Sequence, residues 1–153
     1  MGLAMTLSKD RKIDFGIIQR MGGSMKRCRA GTVIMREGEP RTQMFYLHKG
    51  SAAVIAGGRE VEEVQEGGIF GEMAMIDNGP RSASVVAKTD CEFVPVDERM
   101  FLLLVHQTPF FSLDVMRTLV RRLRAMNERL GQQAGPIPTT MELYVPPRAG
   151  DAR

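Results

Sequence analysis

The stretch FGEMAMIDNGPRSASVVA, residues 70–87, is the most informative part of the chain. Gly68 and Gly71 free the backbone after a strand, and EMAMI has room for a turn or two of helix whose first N–H groups lack internal acceptors. Those donors suit a phosphate. Asp77-Asn78-Gly79-Pro80 then reads as a turn that delivers Arg81 and Ser82 to the start of the next strand. A guanidinium, a hydroxyl and several amides are thus offered to one anion. Glu72 is out of place beside a phosphate unless it has its own task. A ribose 2′-OH supplies one, because it donates and an ionised carboxylate only accepts. Taken singly, Glu72 could be a first-turn acid favoured by the helix dipole, and Arg81 half of a surface ion pair. Taken together they suit a molecule with a ribose at one end of a short span and a single phosphate at the other.

Outward from this stretch, residues 32–96 carry short apolar runs punctuated by turns. TVIMR is followed by Gly38 and Pro40, MFYLH by Lys49 and Gly50, and AAVIA by Gly57 and Gly58. VEEV then precedes Gly67 and Gly68, and SASVVA and CEFVPV complete the series. Strands this short need a neighbour and an opposing sheet, which predicts a sandwich, barrel or jelly roll. Ala83, Val85 and Ala87 alternate with period two. Pro95 cannot donate to a ladder and is expected at a strand end or sheet edge.

Helical periods flank the strands. KDRKIDFGIIQR, residues 9–20, spaces Ile13, Ile17 and Ile18 for a short helix closed by Gly22 and Gly23. Asp97 can cap a helix carrying Phe101, Leu104 and Val105, and Thr108-Pro109 reads as N-cap and first turn of another, stopped at Gly131. In that last helix Met116, Leu119, Leu123, Met126 and Leu130 form a two-heptad seam, which would either join a homodimer or pack on its own domain. Arginines 117, 121, 122, 124 and 129 read as a solvated face. Residues 132–153 contain four prolines and little periodicity, and read as a flexible tail in which MELYV could extend a partner's sheet. The expected organisation is an N-terminal helical segment over 1–31, a binding domain with its closing helices over 32–131, and a tail over 132–153.

The chain's 153 residues hold one domain with an ordinary core, and 43% hydrophobic with 25% charged residues is an average soluble composition. The formal charge of +3 favours an anionic ligand only slightly. No apolar run approaches the roughly 20 residues a membrane span needs, and the N-terminus has no export signal, so a cytoplasmic location without membrane attachment is expected. Cys28 and Cys91 stand at no metal or redox spacing and read as small hydrophobes, and His48 and His106 lie in no ligand motif, so no metal site is expected. No nucleophile–base pair is visible, and the chain does not read as an enzyme.

Phe70-Gly71-Glu72-Met73-Ala74, nine residues from Glu72 to Arg81, and Arg81-Ser82-Ala83 before a strand closely resemble the phosphate-binding cassette of cyclic nucleotide-binding domains. RSASVVAKTDCE resembles in particular the bacterial cyclic AMP receptor protein family, and the likeness runs from about Arg29 to Leu130. It implies a mainly β fold, an eight-stranded jelly roll followed by a C-terminal helix pair, with the ligand under the cassette. By the same resemblance, Gly71 and Glu72 would take the ribose, and Arg81, Ser82 and the amides of Met73, Ala74 and Ala83 the cyclic phosphate. Val61 and Met73 would line the base and the last helix would close over it. Where that family carries base-contacting hydroxyls, this chain has Met126 and Asn127. Asn127 could still read a purine edge, and Arg124 could stack on the base as a lid.

These readings predict a stand-alone sensor of cyclic AMP, or of cyclic GMP, with no cofactor. Its output would pass through movement of the last helix to an unidentified effector protein. A nucleotide-independent scaffold and a DNA-binding regulator are the alternatives. Only 22 residues follow Gly131, too few for a helix-turn-helix domain, so no direct contact with nucleic acid is expected.

Overall fold

Met44–Lys49 is an almost continuous apolar run because both of its faces are covered. In the computed structural model, which describes residues 13–135, this strand (β3) lies inside a sheet between a second sheet on one side and helices on the other. Phe45 and Leu47 point to the opposing sheet, Met44 and Tyr46 to the helices, the period-two alternation of a strand.

The other strands are β1 (Lys26–Cys28), β2 (Val33–Met35), β4 (Ala52–Ala56), β5 (Arg59–Val64), β6 (Ile69–Phe70), β7 (Ser84–Ala87) and β8 (Cys91–Val96). They form two antiparallel four-stranded sheets, ordered β1-β8-β3-β6 and β2-β7-β4-β5, the jelly roll that the sequence predicts. Strands consecutive in the chain sit in opposite sheets, except β4 and β5, which pair through the turn at Gly57 and Gly58. The strand runs anticipated from sequence correspond to β2, β3, β4, β5, β7 and β8. Strands β1 and β6, three and two residues long, carry too little pattern to be anticipated. Between the sheets lie Met35, Phe45, Leu47, Val64, Phe70, Val85 and Phe93. Val85 and Ala87 of β7 are buried, as their alternation predicts.

Pro95 sits one residue from the end of β8, opposite Phe45, whereas the ladder with β1 ends at Phe93. The prolyl nitrogen therefore interrupts no bond to β1, although β8 is an inner strand. Cys28 and Cys91 are register partners across β1 and β8, a pairing their sequence separation conceals, and both are free thiols. Burial pushes the Cys28 thiol up, and the neighbouring Cys91 adds to that.

Among the described residues four helices flank the sheets: α1 (Phe15–Arg20), α2 (Glu72–Asp77), α3 (Glu98–Gln107) and α4 (Pro109–Gln133). Asp14 caps α1 through the Gly16 amide at 2.8 Å, and Asp97 caps α3 through that of Met100 at 2.8 Å. The Tyr46 hydroxyl donates to Ile13 O at 3.1 Å, and Phe15 stacks on His48, which fastens α1 to β3. Ile18, Leu104, Phe111 and Val115 complete the second core against Val94, Val96 and Ile69. Leu104 is buried in α3 as expected, with Phe101 and Val105 packed beside it.

Of two terminal signals, one is met and one is not. Pro109 opens α4 directly after Thr108, whose carbonyl accepts from Phe111 N at 2.8 Å while its hydroxyl donates to Leu104 O at 2.8 Å, so one residue closes α3 and starts α4. The last helix runs past Gly131 to Gln133, since one glycine costs a helix only about 1 kcal/mol. The expected helix start over residues 9–12 lies outside the described residues, as do residues 1–8 and, in the tail, residues 136–153 with MELYV.

The described chain divides into two units, residues 13–119 and 120–135. The first holds both sheets and α1 to α3. The second is the end of α4, where Val120, Leu123, Met126 and Leu130 are exposed. No helix among the described residues is long and apolar enough to cross a membrane.

Candidate functional site

The site is built where β6 ends. Phe70 is buried in the inter-sheet core, stacked on Phe45 with ring centroids 5.1 Å apart. Gly71 then turns the chain with φ 77°, in the left-handed region, as the N-cap of α2. A side chain here would be strained, and its Cβ would lie 2.8 Å from Arg81 Nη1, 3.1 Å from Gln43 O and 3.2 Å from Met35 Sδ. Glycine is needed both for the turn and for the close approach.

Three residues of α2 follow with alternating fates. Glu72 is 1% exposed, Met73 is 44% exposed and Ala74 is again buried. Helix α2 ends at Asn78, also left-handed with φ 55°, and the Asp77 carboxylate accepts from the Gly79 amide at 2.8 Å. This is the side-chain turn that the Asp-Asn-Gly-Pro run predicts. It brings the chain back so that Arg81 Nη1 donates to Gly71 O at 3.1 Å, across ten residues.

Arg81 is 3% exposed, and its guanidinium lies 5.5 Å from the centroid of the Phe45 ring, within cation–π range. Its Nε has no hydrogen-bond partner among the described residues. Burial lowers the affinity of this guanidinium for its proton, the nearby charge of Arg41 acts the same way, and the carboxylates of Glu39 and Glu72 oppose them. No ion pair within 4.0 Å joins Arg81 to either carboxylate among the described residues. A buried donor without a partner is costly, on the order of 1–3 kcal/mol, which an anion at this position would relieve. Beside it, exposed Ser82 donates to Met73 Sδ at 3.5 Å, and buried Ala83 leads into β7.

The eight predicted residues from Phe70 to Ala74 and from Arg81 to Ala83 are therefore assembled in one place. Val61 stands apart on β5, opposite the step from Val54 to Ile55 where the register with β4 slips, so it is the extra residue of a bulge. Arg124 and Asn127 belong to the second unit, on α4, and both are exposed.

Sequence reading missed Phe45, Gln43 and Met35, and the loop of residues 36–43 that carries Glu39 and Arg41. This loop is bonded to the cassette on both sides of residue 81. Gly38 N donates to Arg81 O at 2.8 Å, Arg81 N to Glu39 O at 3.0 Å, and Glu37 N to Ser84 Oγ at 2.9 Å. REGEPRTQ reads only as a turn, and nothing in it signals contact with a segment some forty residues away.

Comparison with known proteins identifies the family. The sequence profile of the family described as "Cyclic nucleotide-binding domain" matches residues 25–108. A cAMP-dependent protein kinase regulatory subunit of Hypocrea atroviridis is 31% identical over 71% of this chain and 22% of its own. The cAMP-activated global transcriptional regulator CRP of Salmonella typhimurium is 29% identical over 67% of this chain and 52% of its own. The chain thus spans about half, or less, of the length of these relatives. Among solved structures, the Thermus thermophilus catabolite activator protein superposes with a TM-score of 0.68 over 79% of this chain and 60% of its own, at 24% identity, a likeness of fold.

Proposed function

Because the chain belongs to the cyclic nucleotide-binding domain family, we propose that it is a sensor that binds cyclic AMP in preference to cyclic GMP at the cassette of residues 70–83. One observation carries the reading: Arg81 is buried with its Nε unpartnered, beside a glycine turn that would not admit a side chain. The names of the two curated relatives, cAMP-dependent and cAMP-activated, support the choice of ligand.

In this reading Arg81 takes the cyclic phosphate together with Ser82 and the amides of Met73, Ala74 and Ala83. Ser82 gives up its thioether contact to do so, a small loss for a charge-assisted bond. Glu72, assisted by Gly71, accepts the ribose 2′-OH, and Phe70 sets the turn from within the core. Val61 and exposed Met73 line the base. Arg124 and Asn127 close over it when the last helix engages the ligand. Nucleotide then shifts the population of helix positions by its difference in affinity for them, and the change passes to an effector protein, with a second copy joined through the helix seam.

The test is a parallel calorimetric titration with cyclic AMP and cyclic GMP while molecular mass is followed. Saturable binding, tighter for cyclic AMP, is expected. Absence of heat and of thermal shift with both nucleotides at high concentration would overturn the reading.

A further inference from the structure

The loop of residues 36–43 lies against the cassette without belonging to it. Its middle is held by the two backbone bonds to residue 81, from Gly38 N to Arg81 O and from Arg81 N to Glu39 O. Its end brings Gln43 O to 3.1 Å from the point a Cβ on Gly71 would occupy. Arg41 stands between these two anchors, so the loop presents it at the rim of the same site. Its side chain is exposed and makes no hydrogen bond or ion pair among the described residues. Arg41 is thus an exposed guanidinium on a loop bonded to the backbone of Arg81, whose own guanidinium is buried.

We propose that Arg41 is a second anion-binding residue of this site, donating to the ligand's phosphate from the solvent side while Arg81 donates from below. The inference rests on the nucleotide-binding reading above. The charges of Glu39 and Arg41 both reach Arg81, Glu39 favouring its protonation and Arg41 opposing it, and an anion shared by two nearby guanidiniums stabilises both. Its exposed position makes the contribution smaller than that of Arg81 and more sensitive to salt. A forked guanidinium contact also separates this role from a field effect, because lysine preserves the charge and not the fork.

The experiment titrates the full chain and its Arg41→Ala and Arg41→Lys variants with cyclic AMP at low and at physiological salt. Arg41→Ala is expected to weaken binding about fivefold at low salt, less at physiological salt, with unliganded thermal unfolding unchanged. Arg41→Lys is expected to bind more weakly than the parent at both salts. Unchanged affinity in Arg41→Ala overturns the proposal, and full parental affinity in Arg41→Lys reduces it to steering at a distance, which also overturns it. If the parent chain itself fails to bind cyclic AMP, the nucleotide-binding reading falls and takes this one with it. If the parent binds and Arg41→Ala matches it, this inference alone fails.

Discussion

In the cassette a glutamate and an arginine are 1% and 3% exposed, whereas on the last helix Leu123, Met126 and Leu130 are each more than half exposed. Both regions depart from the usual sorting of polar residues outward and apolar residues inward, and in opposite senses. Buried charge is tolerated in the cassette because backbone and ring supply partial partners: Gly71 O accepts from Arg81, and Phe45 lies within cation–π range of the guanidinium. Exposed leucines on the helix cost little, since each forfeits only the gain it would have made by burial. A buried, incompletely bonded guanidinium calls for a ligand of defined shape and charge. An apolar stripe calls for any surface of matching spacing, so it is the less specific of the two signals.

Two leucines measure the contrast most directly. Leu104, 1% exposed under β8, should destabilise the fold by about 2–5 kcal/mol when changed to alanine, read as a shift of the denaturation midpoint. A loss below about 1 kcal/mol would mean that the helix-side core is not packed as described. Arg81→Ala should weaken cyclic AMP binding at least tenfold, equivalent to about 1.4 kcal/mol, and Arg81→Lys should not restore it because an ammonium cannot reproduce the fork. Parental affinity in Arg81→Lys would break the proposed phosphate geometry.

Gly71→Ala should cost about 1–2 kcal/mol of stability through its positive φ, and weaken binding because the new methyl displaces Arg81 Nη1. Thermal unfolding and titration of the same sample separate the two effects. Leu123→Glu should be smallest, within about 0.5 kcal/mol in stability, while abolishing any self-association seen by sedimentation. A large destabilisation by Leu123→Glu would show that this face is covered within the chain, and the comparison of buried charge with open apolar surface would collapse.

The legibility of the molecule follows the range of the interactions. Asp97 as a helix cap, Asp77 at a side-chain turn and the alternation of β7 are local, and each is readable because the partner lies within a few residues. The two-residue β6 and three-residue β1 are strands by virtue of their neighbours, and contain too few positions for a period to register. Val61 was singled out by resemblance, and its bulge is a property of the pairing of β4 with β5, which neither strand carries alone. Gly131 misleads because helix continuation depends on the sum over a segment, not on one residue.

From residues alone came the spacing of Glu72 and Arg81, the glycines around them and the strand texture, hence the class of fold and the ligand chemistry proposed for the cassette. A cassette is a local motif, and its polar groups are chosen for what they bind. Only the tertiary structure placed Phe45 under the guanidinium, drew residues 36–43 to Arg81 and set Cys28 opposite Cys91. Those relations arise where antiparallel sheets bring distant segments into register, and sequence separation carries no record of which distances the fold will close.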